Sequence, residues 1–350
     1  MTSCATLDGS RRGASGLSPD LVSVAMMLTE LPLLVEVVLK AAVVLAAFLT
    51  MPLALGQLEH KLMGHMQGRL GPMEAGPHGI LQLVADGIKF VQKEDVTPAA
   101  ADRPVFRLAP AVALIPYLVA LAAIPFSAAW VAADVPASLL FVLAATSVGV
   151  IGTLMAGWGS GNKYSMIGGM RAGAQLVSYE LPLAVSAASV AMAAGTLSLT
   201  GIVQEWSWWW LLWQAPAAFV FLAASVAELQ RTPFDAPIAD SEVVFGPLTE
   251  YTGLRFAFFL LSEYAGMVVM ALLFTVLFLG GWRGPWGDVA VVGALWTLLK
   301  ATAVGALFLW MRVAWPRVRE DQLQRFAWLV LLPVALLQLA ITGVGVVVLS

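Results

Sequence analysis

Three ionisable side chains, Glu180, Glu263 and Lys300, lie inside stretches otherwise apolar enough to cross a lipid bilayer. Holding such a group in hydrocarbon costs at least ~2.5–3.5 kcal/mol, so each needs a partner or a task. At a helical rise of about 1.5 Å per residue, Glu180 lies roughly 13 Å in from the basic end of its stretch at Arg171, Glu263 roughly 12 Å in from Arg255, and Lys300 about 18 Å in from Arg312. These depths describe a ladder from one face towards mid-membrane, as a proton or ion path requires. The competing reading is a set of structural ion pairs inside the bundle. One pair needs only two helices and three contribute here, which favours the path. Glu36 and Lys40, four apart on one helical face near a span end, read as a snorkelling surface pair.

The connection 227–256, AELQRTPFDAPIADSEVVFGPLTEYTGLRF, places Glu228, Asp235, Asp240, Glu242 and Glu250 within 23 residues, against Arg231 and Arg255. Pro233, Pro237 and Pro247 stop any long helix there. An acidic connection is usually a solvated face. Here Phe234, Ile238, Val243, Val244 and Phe245 run between the acids, which predicts a loop packed down on the protein, its carboxylates partly buried and their pKa values raised. All three histidines, His60, His65 and His78, fall in Leu58–Gly79, but their spacings of five and thirteen match no common zinc pattern, so no metal site is expected. The glycines of GWGSGN at 157–162 and of Gly168–Gly169 have no βα unit around them and read as turns at a membrane surface. Walker, HExxH and GxSxG motifs are absent.

The elements that must position these groups are membrane spans. Of the 350 residues, 60% are hydrophobic and 12% charged, and the mean hydropathy is +0.85; a water-soluble domain carries about 25% charge. Disordered, collagen-like and secreted disulfide scaffolds are excluded by the same figures. A single cysteine, Cys4, can neither form an internal disulfide nor hold an iron–sulfur cluster, which needs about four ligands. Apolar windows of about 20 residues predict eight spanning helices: Leu31–Leu55, Phe106–Phe126, Ala137–Gly157, Ala172–Ala194, Trp208–Glu228, Leu254–Leu279, Asp288–Val313 and Phe326–Leu349. The expected fold is an all-α polytopic membrane protein, one transmembrane domain over 1–350, with an outer N-terminal segment at 1–30. Arg11 and Arg12 are followed by neither an apolar stretch nor a cleavage site, so a cleaved signal peptide is not expected.

The connections alternate in charge. Fourteen of the 19 lysines and arginines lie in or beside 56–105, 158–171, 229–253 and 314–325; Arg11, Arg12 and Arg283 fall on the other side, and Lys40 and Lys300 inside spans. The positive-inside rule then puts the basic connections in the cytoplasm and both termini outside a cytoplasmic membrane. Long connections on one face imply a docking surface. In the first of them Ala75–Asp95 sets Ile80, Leu81, Leu83, Val84, Ile88 and Val91 against Asp86, Lys89, Lys93 and Glu94, an amphipathic helix for the interface. No internal repeat of the rocking-transporter kind is present.

Several stretches together resemble a known family: Glu59-x-Lys61 with Gln67-x-Arg69-x-Gly71-Pro72, LQLVADGIKFVQKED at 81–95, AGWGSGNKYSMIGGMRAGAQLVSYE at 156–180, AELQRTPFDAP at 227–237 with Ser241-Glu242, EYTGLRFAFFLLSEY at 250–264, and PRVREDQ at 316–322. From about Leu33 to Thr342 the chain is similar to one membrane component of respiratory complex I, the H subunit of the bacterial NADH-quinone oxidoreductase and NADH dehydrogenase subunit 1 in mitochondria. The resemblance implies a subunit that anchors a hydrophilic arm, forms much of a quinone chamber and begins a chain of carboxylates coupling quinone reduction to proton pumping. It implies quinone-side roles for Glu59, Arg69, Asp86 and Lys89, a loop beneath the chamber matched at Asp235, Glu242 and Glu250 with Asp240 as a shortened carboxylate among them, and membrane carboxylates Glu180, Glu228 and Glu263, with Lys300 on the helix before the last motif. Quinone would be the substrate, with flavin and iron–sulfur clusters held by partner subunits on the cytoplasmic side and small membrane subunits alongside.

The chain departs from that pattern at His60, where the family usually has arginine, at Met73 and Glu74 after Pro72, and at Ile238 and Asp240 in the acidic loop. Two other classes fit the residues less well: the membrane anchor of a membrane-bound hydrogenase or formate hydrogenlyase, where no quinone need bind, and a stand-alone ion transporter.

Overall fold

The computed structural model describes residues 19–238 and 240–349. Among them the chain is helical throughout, with no strand. In order come α1 (Pro19–Met66), α2 (Gln82–Gln92), α3 (Arg103–Ala123), α4 (Ser138–Gly159), α5 (Lys163–Ala194), α6 (Leu199–Glu205), α7 (Trp210–Trp213), α8 (Ala215–Glu228), α9 (Asp240–Val243), α10 (Gly253–Phe278), α11 (Ala290–Ala314), α12 (Glu320–Phe326) and α13 (Leu332–Leu349). A π-helical stretch, Ala327–Leu331, joins α12 to α13.

The chain divides into two units, residues 1–46 and 47–350. In the first, Lys40 pairs with Glu36 at 2.8 Å with both side chains about half exposed, as their i,i+4 spacing predicts. The second is a bundle around a core in which Tyr179, Phe221, Leu183, Met267, Met270 and Leu272 are fully buried.

Seven helices among the described residues are long and apolar enough to cross a membrane. The chain is a multi-pass membrane protein. Exposed tryptophans gather at both ends of the spans, Trp130, Trp208, Trp209 and Trp286 at one and Trp158, Trp315 and Trp328 at the other, the distribution expected of rings that sit at headgroup level.

Several expected boundaries move, α1 beginning at Pro19 rather than Leu31 and α5 at Lys163 rather than Ala172 among them, and two changes bear on the site. The helix α1 does not stop at Leu55 but continues to Met66, so Glu59, His60 and Lys61 sit on the helix and the first connection begins at Gln67. Apolar windows mark where hydrocarbon ends; a helix ends where its backbone is stopped. Here the stop is Gly68, at φ +68°, with Gly68 N–H donating to His65 O at 3.1 Å and Arg69 N–H to Gly64 O at 2.9 Å, a Schellman closure that needs a residue free to adopt the left-handed region. The second change is in the expected span Trp208–Glu228, which is interrupted at Gln214. Pro216, in the first turn of α8, supplies no N–H to a preceding turn and disfavours helix in the residue before it. The 14 residues of α8 cover only about 21 Å, against about 30 Å of hydrocarbon. The break is served by side chains: Gln338 Nε2 donates to Trp213 O at 2.8 Å, and Gln214 Nε2 to Thr342 Oγ1 at 3.1 Å.

The amphipathic element in the first connection is α2, preceded by a single 3-10 turn, Pro77–Gly79. No α2 residue is buried, and Val84, Ile88 and Val91 are exposed along it as an interfacial helix requires.

Candidate functional site

At the basic face α1, α10 and α11 converge with the turn that follows α8. Arg231, three residues past the end of α8, is 5% exposed, and it lies between two carboxylates. Its guanidinium donates to Glu59 Oε2 at 2.8 Å, its Nε lies 2.7 Å from Glu263 Oε1, and its Cζ stands 4.8 Å from the centroid of the Tyr264 ring. Arg312 of α11 donates to the other oxygen of Glu59, which is itself 2% exposed. Burial alone would pull Arg231 down, but the carboxylates of Glu263 and Glu59 outweigh it, so its pKa is raised and the guanidinium stays charged. Only arginine can bridge two carboxylates and stack on a ring at once.

Glu263 faces this bridge and also a cavity of about 60 Å³. That cavity is lined in part by Tyr117, Thr153, Glu228, Gln230 and Ser262, with Ile238 and Pro247 of the acidic loop closing one side. Glu228, the last residue of α8, is 6% exposed, and its Oε2 finds no hydrogen-bond partner among the described residues. A space of this size, with carboxylates and hydroxyls among its lining groups, has room for a few waters. Glu180 on α5 accepts a hydrogen bond from Ser147 of α4.

The acidic loop is held rather than loose. Gln175 Nε2 donates to Ala227 O at 2.6 Å and Phe234 O at 2.7 Å. Asp235 is gripped by Arg317, whose guanidinium donates to Asp235 O at 2.6 Å and Oδ1 at 3.1 Å. Arg171 donates to Glu242 at 2.6 Å and pairs with Glu320 at 3.1 Å, and Asn162 Nδ2 donates to Glu250 at 2.5 Å. The loop turns at Gly246, φ +54°, where a Cβ would lie 2.0 Å from Pro237 O. Asp240 lies at the start of α9; its side chain is outside the described part. The expectation of raised pKa values fails for Glu242. The hydrogen bond from Arg171 and the charge of that arginine hold its carboxyl below the usual range, because at 56% exposure there is little burial to oppose them.

The four residues expected on the quinone side separate. Arg69 and Asp86 line one pocket of about 200 Å³ with His60, Met63, Pro72 and Gln82. Asp86 accepts from Gln82 at 3.0 Å and from Lys89 at 3.3 Å, and Lys89 is otherwise exposed. Glu59 is instead in the arginine bridge. Lys300 leaves the ladder too. Its Nζ donates to the carbonyls of Leu279, Gly281 and Arg283 at 2.8, 2.8 and 2.7 Å, closing the connection at the far end of α10, away from the basic face. Arg231, Arg312 and Tyr264 are additions that sequence reasoning passed over. The signal available for Arg231 was its place three residues after Glu228, one turn from a carboxylate at a span's end.

A family model described as NADH dehydrogenase matches residues 39–343. A protein of Bacillus cytotoxicus, named as the H subunit of NADH-quinone oxidoreductase, is 49% identical over 287 residues, 81% of this chain and 86% of the relative. The Geobacillus kaustophilus protein of the same name is 48% identical over 288 residues, 82% of this chain and 86% of the relative. With the spans, the glutamates and the arginine bridge described, this chain belongs to the NADH dehydrogenase family, as one of its NADH-quinone oxidoreductase membrane subunits.

Proposed function

We propose that the chain is the subunit of a proton-translocating NADH-quinone oxidoreductase that receives the quinone headgroup at the Arg69–Asp86 pocket and passes the effect of its reduction to Glu263, Glu228 and Glu180. The complex lies in the cytoplasmic membrane, with the basic connections in the cytoplasm and both termini outside. Electrons arrive from flavin and iron–sulfur partners docked on the basic face, since a chain whose one cysteine is Cys4 cannot ligate a cluster.

The observation that carries the reading is Arg231, shared between Glu59 and Glu263 beside a cavity that also contains Glu228. Two-electron reduction of a quinone takes up two protons. When either carboxylate of the bridge gains a proton, Arg231 loses one of two counter-charges and is drawn to the other. The charge facing the cavity then changes, and water there lets a proton pass between Glu263 and Glu228. The acidic loop, pinned through Asp235 and Glu242 to Arg317 and Arg171, holds Ile238 and Pro247 against that cavity.

The quinone half of the reading is tested at Arg69. Lysine keeps the charge but cannot present a planar fork. In assembled complex, Arg69→Lys is expected to raise the quinone KM about tenfold, with NADH oxidation by a water-soluble acceptor unchanged. An unaltered quinone KM would reduce Arg69 to an interfacial anchor.

Lys300 is left outside the path because all three of its N–H donors are taken by carbonyls. Lys300→Met is expected to lower the melting temperature of the complex while the proton-to-electron ratio of surviving complex stays unchanged. A lowered ratio at normal melting temperature would return Lys300 to the path.

A further inference from the structure

The cavity beside the arginine bridge is lined by a phenol to which the proton path described above gives no part. Tyr117, on α3, is buried, and no hydrogen bond ties its hydroxyl to another described residue. Glu228 and Glu263, which line the same cavity, both act on it electrostatically. Its ring is clasped at the phenol end by glycines on two different helices. A Cβ added to Gly149 of α4 would lie 3.0 Å from Cε2 and Cζ of the ring and 3.1 Å from its hydroxyl oxygen, and one added to Gly266 of α10 would lie 3.1 Å from Cε1 and Cζ. Carbon atoms pack at about 3.5–4.0 Å, so the phenol fits between these helices because both residues lack a side chain. The two glycines meet opposite edges of the ring, which fixes the axis along which the hydroxyl points. Gly149 also lines the cavity, so the hydroxyl beside it stands at the cavity wall. Ser262, next to Glu263, has its hydroxyl already engaged, donating to Phe259 O at 2.8 Å.

We propose that the hydroxyl of Tyr117 is the relay between Glu263 and Glu228. The inference rests on the proton path argued above and adds a further residue to it. A phenol hydroxyl both donates and accepts, so it passes a proton on without changing its own charge. The transfer starts with Glu263 protonated and Glu228 ionised. A proton arriving from the side of Glu263 forms a new O–H bond at the phenol oxygen as the original O–H bond breaks towards Glu228. Glu263 ends ionised, Glu228 protonated and the phenol neutral. Rotation about the Cζ–Oη bond then returns the hydroxyl to its starting orientation. Water in the cavity makes the same connection only when it is ordered for each transfer, whereas the clasped ring keeps its oxygen in place.

Tyr117→Phe keeps the ring and its fit between the glycines and removes the hydroxyl alone. In assembled complex it should lower quinone-dependent NADH oxidation about tenfold, less than the 10²–10⁴ of a positioned acid or base because cavity water stands in slowly. The melting temperature and NADH oxidation by a water-soluble acceptor should stay at wild type. Proton transfer then limits turnover, so the solvent deuterium isotope effect on the quinone-dependent rate should rise above that of wild type. Gly149→Ala, which retains the hydroxyl but displaces it, should move the rate and the isotope effect in the same directions. A ring that serves only as packing would leave the isotope effect unmoved in both variants, and that result overturns the proposal. If Tyr117→Phe runs at the wild-type rate while Glu228→Gln is impaired, the path stands and Tyr117 has no part in it. If Glu228→Gln is unimpaired as well, the path reading falls and this inference with it.

Discussion

Replacing Arg231 with methionine is expected to remove most of the subunit from purified complex. The arginine is 5% exposed and serves Glu59 and Glu263 together. Breaking a buried pair by deleting one partner costs ~3–5 kcal/mol, because a charge is left with nothing to balance it. Glu59 keeps Arg312, so the stranded charge is that of Glu263. The double change Arg231→Met, Glu263→Gln should therefore recover much of the assembly that the single change loses, without recovering pumping. Arg231→Lys should fall between, since an ammonium cannot reach two carboxylates and cover Tyr264 as a planar guanidinium does. Co-purification of the subunit with the complex and the melting temperature of that complex check all three variants. Wild-type recovery and stability of Arg231→Met would mean that the bridge carries no structural weight.

The second large effect is expected at the cavity. Glutamine in place of Glu228 or Glu263 preserves volume and hydrogen-bonding reach while removing the capacity to take up and release a proton. A positioned acid or base contributes about 10²–10⁴ in rate. Either change should then lower quinone-dependent NADH oxidation about a hundredfold, and proton translocation with it, in complexes that assemble normally. Glu228→Gln is the cleaner of the two, because Glu228 forms no ion pair among the described residues and lines the cavity without belonging to the arginine bridge. Should purified Glu228→Gln complex pump at wild-type rate and ratio, the cavity is packing space and the path must run elsewhere. Substituting Glu180 tests the next step in the same way, with Ser147 as its hydrogen-bonded neighbour.

Much of this was legible in the residues alone, and the parts that were not share a cause. Apolar windows locate α3, α4, α10 and α11 to within a few residues because a bilayer imposes a length on anything that crosses it. They misjudge α1 and α8 because a helix can outrun the hydrocarbon, as α1 does to Met66, or stop short of it, as α8 does at Ala215. Intramembrane carboxylates announce themselves by their cost. Their partners do not, since Arg231 and Arg312 sit among ordinary loop and helix-end basics in the sequence and are singled out only when the turn after α8 folds against α1 and α10. Lys300 is the reverse case: its depth resembled that of Glu180 and Glu263, but depth along a helix says nothing of which way the side chain runs, and it runs to the far end. In the acidic loop the interleaved aromatics correctly predicted packing, with Phe234 5% exposed. They misled on Glu242, which lies on the outer surface of a loop that is buried elsewhere.

The interruption at Gln214 bears on how the chain is made. A segment of 14 residues is too short to be stable as a lone crossing, and the irregular turn before it exposes backbone that hydrocarbon will not accept. Two of the groups that serve that turn, Gln338 and Thr342, lie on α13, which is synthesised after α8. Until they arrive, Trp213 O and Gln214 Nε2 depend on water or on the insertion machinery, while Gln214 Oε1 can already accept from Ser189 of α5. Stable integration of α8 is thereby tied to the arrival of α13, and a chain halted before α13 is expected to leave this break without those partners.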